Sequence, residues 1–147
     1  MWLKEVLIIK LRKYKIWLRN LFIFMKYTLG KEEKLKGVKQ IELLFKHGKR
    51  IKLFPIQLIY LPVEQTADFP IIVGFSVPKR NIKLAVNRNK IKRSMREAYR
   101  KNKHLYSKHV ASNYVFMFIY MGKEKENFEK LQLVIQNIAK QFSQQIS

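Results

Sequence analysis

The chain has 147 residues, 48% of them hydrophobic and 13% aromatic, enough for one domain with a modest core and too many for a wholly disordered polypeptide. Its 31 Lys and Arg against 10 Asp and Glu give a net charge of +21, a self-repulsion that calls for a polyanion, either nucleic acid or an anionic membrane surface. The absence of cysteine excludes disulfides and thiolate metal sites and fits a cytoplasmic protein.

Residues 1–24 mix Trp, Leu, Ile and Phe with Lys10, Arg12, Lys13, Lys15 and Arg19. Those charges interrupt the ~20 apolar residues that a membrane span requires. They are also spread too evenly for a signal peptide. Residues 1–26 therefore read as a basic, apolar extension. It is a disordered arm, an interfacial amphipathic helix, or a read-through upstream of a true start at Met25. Residues 27–147 read as a single domain.

Within that domain Leu35, Val38, Ile41, Leu44 and Phe45 recur at helical spacing, which predicts a helix over Lys34 to His47 ended by Gly48. From Ile51 to Leu61, Phe54, Ile56, Leu58 and Tyr60 share one parity, a strand pattern in which Pro55 marks an edge or a bulge. A polar connection follows. The β-branched run from Pro70 to Val77 predicts a second strand, paired with the first as a hairpin. Lys79 to Lys103 is charged and mostly helical after about Val86. Asn113 to Met121 predicts a third strand buried on both faces. Glu124 to Gln144 predicts a final helix with Phe128, Leu131, Leu133, Val134, Ile135, Ile138 and Phe142 on or near its inner face. The expected order is α-β-β-α-β-α.

The segment from Lys79 to Lys103 holds eleven Lys or Arg residues and one acid, Glu97. At ~100° per residue, Ile91, Met95, Ala98 and Tyr99 fall on one side of a helix, and Lys92, Arg93, Arg96 and Arg100 cluster on its flank. One face can pack on a sheet while the next presents guanidinium groups, whose planar fork suits phosphate. An ordinary charge run is a solvated face, but such faces intersperse acids, and here they are missing. A membrane surface would need exposed apolar residues beside the charge, and those of this helix are better used as core.

Catalytic machinery is hard to assemble. His47, His104 and His109 lack metal-ligand spacing, and residues 69–103 contain one carboxylate, where a two-metal nuclease needs several. The five glycines are scattered and form no phosphate loop. No catalytic residue and no metal ligand is assigned to the protein.

The run Phe75-Ser76-Val77-Pro78-Lys79-Arg80, then Ala85-Val86-Asn87-Arg88-Asn89-Lys90-Ile91-Lys92-Arg93 and Arg96-Glu97-Ala98, closely resembles the signature of the protein subunit of bacterial ribonuclease P. Lys34-Leu35-Lys36 and Leu44-Phe45-Lys46-His47-Gly48 resemble that family's first helix, and the resemblance covers about residues 27–142. Lys90 stands where the family usually has Arg. Lys83-Leu84 replace a glycine common before the Ala-Val pair. Ile41 occupies a place where an aromatic is common.

The resemblance implies an α+β fold, a two-layer α/β sandwich with a left-handed β-α-β crossover, although general rules favour the right-handed one. It implies an endoribonuclease whose catalytic groups and magnesium ions belong to an RNA subunit, and which removes the 5′ leader from precursor tRNA. The expected partners are that catalytic RNA and precursor tRNA, with no small-molecule substrate and no stable membrane association. Arg88, Asn89, Lys90, Lys92, Arg93, Arg96 and Arg100, with Lys79 and Arg80, would face RNA. Phe45, Phe54 and Tyr60 would line a cleft for the single-stranded leader, where stacking tolerates any base. Phe45 and Phe54 equally suit a core, and Tyr60 an ordinary strand position. Two competitors stay open: a non-catalytic RNA binder of the ribosomal-protein or RNA-chaperone type, and a membrane-active protein built on residues 1–24.

Overall fold

The structure, a computed structural model, describes residues 29–64 and 69–147 together with Lys10, Arg12, Lys13, Lys15 and Ile16. The expectations for the extension before residue 27 lie outside the described residues apart from those five positions. Among the described residues, no helix is long and apolar enough to cross a membrane.

A short 3-10 turn, Lys31–Glu33, leads into helix α1, Val38–His47. Strands β1, Lys49–Leu53, and β2, Ile56–Val63, follow. Then come β3, Ile71–Ser76, helix α2, Ala85–Asn102, and a four-residue helix α3, His104–Ser107. Strand β4, Asn113–Tyr120, and helix α4, Phe128–Ile146, complete the chain. The sheet order is β1-β2-β4-β3, with β3 and β4 parallel and the other two pairs antiparallel. The class is the expected α+β sandwich. The β3-α2-β4 unit is the one for which the resemblance implies a left-handed connection.

Three sequence expectations are corrected. The single strand over Ile51 to Leu61 is two strands. Phe54 and Pro55 form the turn of a β1–β2 hairpin, with a cis peptide bond between them. Pro55 lacks an amide donor but still accepts from the Met121 amide through its carbonyl, at 2.6 Å. The run from Pro70 does not pair with this hairpin. It becomes β3 at the far edge of the sheet, parallel to β4. Parallel neighbours need a long crossover, and the 18 residues of α2 lie within it. The final helix also begins later than expected, because the Asn127 side chain caps it by accepting from the Lys130 amide at 2.8 Å.

The two faces of the sheet are covered unequally. Ile51, Leu58, Tyr60, Val73, Phe116, Phe118 and Tyr120 form one core with Ile91, Met95, Tyr99, Ile135 and Phe142 of α2 and α4. Phe142 sits at its centre, with ring centroids 5.0 Å from both Tyr60 and Phe116. The Tyr106 hydroxyl ties α3 to α4 by donating to the Ile135 carbonyl at 2.5 Å. The second face has a smaller core of Ile59, Val115, Met117 and Ile119 under Leu44 of α1.

Helix α1 is laid across that second face. Just before it, the Leu35 amide donates to the Val73 carbonyl of edge strand β3 at 2.9 Å. Just after it, Gly48 delivers the chain to β1 at the opposite edge. Ten residues at 1.5 Å each give ~15 Å. Three strand gaps of 4.7–4.9 Å give ~14 Å, so the helix is as long as the sheet is wide. Two glycines make the crossing possible. Gly37, before α1, has φ of 99°, a left-handed conformation that side chains resist. At Gly48 the reason is contact: an added Cβ would lie 2.3 Å from the Leu44 carbonyl oxygen and 2.6 Å from Ile59 Cγ2.

Candidate nucleic-acid interface

Helix α2 separates a packing face from a charged flank as its spacing predicts. Ile91, Met95, Ala98, Tyr99 and Asn102 are buried. Asn89, Arg93 and Arg96 are exposed and Lys92 and Arg100 half-buried. At ~100° per residue these five share one flank. The first turn of α2 contains no acid, and no side chain caps it. The positive end of the helix dipole therefore adds to the basic field instead of being neutralised. Lys79 and Arg80 are exposed in the turn that precedes the helix.

The expected basic residues are not equivalent. The Arg88 guanidinium turns back, and its Nη1 donates to the carbonyls of Ile82 and Lys83 at 3.0 and 2.7 Å. It shapes the loop that launches α2. Arg100 makes a two-pronged ion pair with Glu97, which holds that carboxyl below its ordinary pKa by hydrogen bonding. Arg96 lies over the Phe75 ring, 5.9 Å from its centroid. Lys90 is exposed but falls on the other flank of the helix. Lys103, the last residue of the segment, is buried in a 2.9 Å ion pair with Glu33.

The expected aromatic cleft is only partly assembled. Phe45 is 41% exposed on α1, above the second sheet face. Phe54 is 67% exposed in the β1–β2 turn, beside Met121, Gly122 and Lys123. The two rings stand at opposite ends of β1. Tyr60 does not belong to the cleft. It is 2% exposed, lies in the core under α4, and its hydroxyl donates to Gln145 Oε1. Strand alternation gives the reason, because Tyr60 shares a face with Leu58, and its neighbour Ile59 is the residue that faces α1. Sequence parity could not separate them, since both parities of β2 are buried from Ile56 to Tyr60.

The face under α1 therefore presents residues that the sequence did not single out. The register aligns Arg50, Ile59, Met117 and Gly74 in one row across it, and Lys52, Gln57, Ile119 and Ser76 in the next. An eight-residue strand is ~27 Å long, whereas a helix is only ~10–12 Å thick. A single crossing helix thus leaves margins of this face beside it, and Phe45, next to buried Leu44 on α1, stays 41% exposed. The signal that could have found these rows is the pairing register, which no single strand reveals. Among the described residues, no group of three or more His, Cys, Asp or Glu could hold a metal ion.

Known proteins agree with this architecture. A family model described as Ribonuclease P matches residues 29–143. A ribonuclease P protein component from Chlorobaculum tepidum is 41% identical over 87 residues, 57% of this chain and 56% of that protein. One from Porphyromonas gingivalis is 31% identical over 114 residues, 75% of this chain and 82% of that protein. The solved RNase P protein from Thermotoga maritima superposes with a TM-score of 0.60 at 22% identity, over 74% of this chain and 96% of that one. The Staphylococcus aureus RNase P protein gives 0.59 at 20% identity, over 74% and 93%. These last two establish likeness of fold. The match from residue 29 to residue 143 takes in α1, all four strands and the α2 signature, so the chain belongs to the ribonuclease P protein family.

Proposed function

We propose that this chain is the protein subunit of a ribonuclease P holoenzyme and assists a catalytic RNA in removing the 5′ leader from precursor tRNA. The observation that carries the reading is the division of labour around the sheet. The α2 flank of Asn89, Lys92, Arg93, Arg96 and Arg100, with Lys79 and Arg80, suits the phosphates of a folded RNA. The margin of the opposite sheet face, with Phe45 on α1, suits an unpaired strand. Arg88 supports the first surface by holding the loop before α2.

The protein's own part is binding and charge screening. The metal ions and the hydrolytic step are assigned to the RNA, as membership of the ribonuclease P family suggests. Positive charge on α2 lowers the repulsion between two RNAs that must meet, and capture of the leader favours precursor over mature tRNA.

Reconstitution tests this directly. The full chain is mixed with a ribonuclease P RNA at low magnesium and leader removal is followed. Stimulation of cleavage, with tighter binding of precursor than of mature tRNA, is expected. RNA binding without stimulation would overturn the reading and leave a plain RNA-binding protein.

A further inference from the structure

Strand β1 carries a second basic surface, separate from α2. Side chains alternate along a strand. Ile51 and Leu53 pack into the core under α2 and α4, so Arg50 and Lys52 project to the face that α1 crosses. There they stand opposite Ile59 and Gln57. Both are exposed, as are Lys46 and Lys49 beside them. Neither Arg50 nor Lys52 has a carboxylate partner among the described residues. Arg50 Nη2 donates to the Phe45 carbonyl at 3.4 Å, which holds the guanidinium at the end of α1 near the half-exposed ring. In the row of Lys52, Gln57 is buried and belongs to the packed floor beside the strip, so the exposed donors there are those of Arg50 and Lys52.

Since β1 and β3 are the two edges of the sheet, this strip is about a sheet's width, ~14 Å, from the edge beside which α2 begins. It cannot be an extension of the α2 flank. Two residues apart on one strand face, Arg50 and Lys52 are spaced by ~6.8 Å and point the same way. We propose that Arg50 and Lys52 form a phosphate-contacting strip that grips the backbone of the single-stranded leader where it continues past Phe45 over the β1 edge. This rests on the leader-binding reading above and extends it to leader length. A contact of this kind makes affinity depend on how far the leader reaches.

Charge on an exposed edge strand has another use, because it deters pairing with a second sheet, and for that either sign serves. Phosphate requires the positive sign. The experiment therefore compares three double variants of the full chain in the reconstituted holoenzyme: Arg50→Gln with Lys52→Gln, Arg50→Glu with Lys52→Glu, and Arg50→Lys with Lys52→Arg. Lys52→Gln alone is added because it leaves the Arg50 bond to α1 intact. Binding is measured for precursor tRNAs with leaders of increasing length, across a salt series. Wild type should gain affinity as the leader lengthens. The Gln pair should lose that gain and lower the salt slope by roughly 1.4, at ~0.7 per single-strand phosphate contact. Lys52→Gln should lose about half as much slope. The Glu pair should fall further, and the Lys/Arg exchange should retain the gain.

If wild type stimulates cleavage and gains affinity with leader length, but the Gln and Glu pairs do the same, this inference is overturned and the leader-binding reading stands. Self-association of the Gln pair with normal binding by the Glu pair would assign the charges to edge protection and overturn it as well. A wild type that neither stimulates cleavage nor responds to leader length overturns both.

Discussion

Each central strand of the sheet serves two surfaces with opposite demands. On one face, Leu58, Tyr60, Phe116 and Phe118 are sealed under α2 and α4 in a network of packed rings. On the other, Ile59, Met117 and Val115 meet α1 alone. In the proposed function, RNA meets the sealed side one layer outward, on the flank of α2, and the α1 side at the sheet margin itself. Neighbouring residues of β2 therefore pack into different cores, Tyr60 under α4 and Ile59 under α1.

Substitutions can break that separation. Phe142→Ala removes the ring at the centre of the sealed face and should lower unfolding free energy by about 3–5 kcal/mol in a denaturant titration. Discrimination between precursor and mature tRNA by the folded fraction should stay unchanged. Arg93→Ala with Arg96→Ala should weaken binding to the RNA subunit, with a salt slope reduced by ~0.7–0.9 per lost phosphate contact. Leader affinity should change less, and crosslinks from position 93 appearing mainly in the leader would contradict this. Phe45→Ala should cost ~1–3 kcal/mol of leader stacking with little loss of stability, since the ring is already half-exposed. The check is the ratio of precursor to mature tRNA affinity. The mildest change, Tyr60→Phe, removes the hydrogen bond to Gln145 and should lower stability by ~0.5–1.5 kcal/mol while leaving leader affinity intact. An effect of Tyr60→Phe on leader binding would erase the distinction between the faces.

Local pattern was enough for most elements. Helical spacing located α1 and α2, and the separation of Ile91, Met95, Ala98 and Tyr99 from the basic flank needed only a period. Partnerships were not local. The composition of β3 says strand and nothing about which neighbour, so its parallel pairing with β4 was missed. Pro55 could be read as a defect in a strand, but only the paired structure shows it to be a reversal. Tyr60 stayed open between the cleft and an ordinary strand position because β2 is apolar on both parities, and the structure places it in the core. Charge counting does not separate the members of the basic run. Arg88 and Lys103 are held by groups that only the folded chain brings near, whereas the Arg100–Glu97 pair follows from i,i+3 spacing on a helix.

The ion pair of Glu33 with Lys103 joins residues 70 positions apart in the chain. The same carboxylate also accepts from the Gly30 amide at 2.8 Å, which folds the 3-10 turn around it. The far end of α2 is therefore moored to the segment that enters the domain. A chain shortened up to residue 28 keeps that mooring. A chain shortened past Glu33 buries the Lys103 ammonium without this carboxylate, at the cost of several kcal/mol that attends a buried charge whose partner is removed. The Glu33–Lys103 pair, together with Leu29 packed on the core, thus sets how closely the domain can be trimmed at its amino-terminal side.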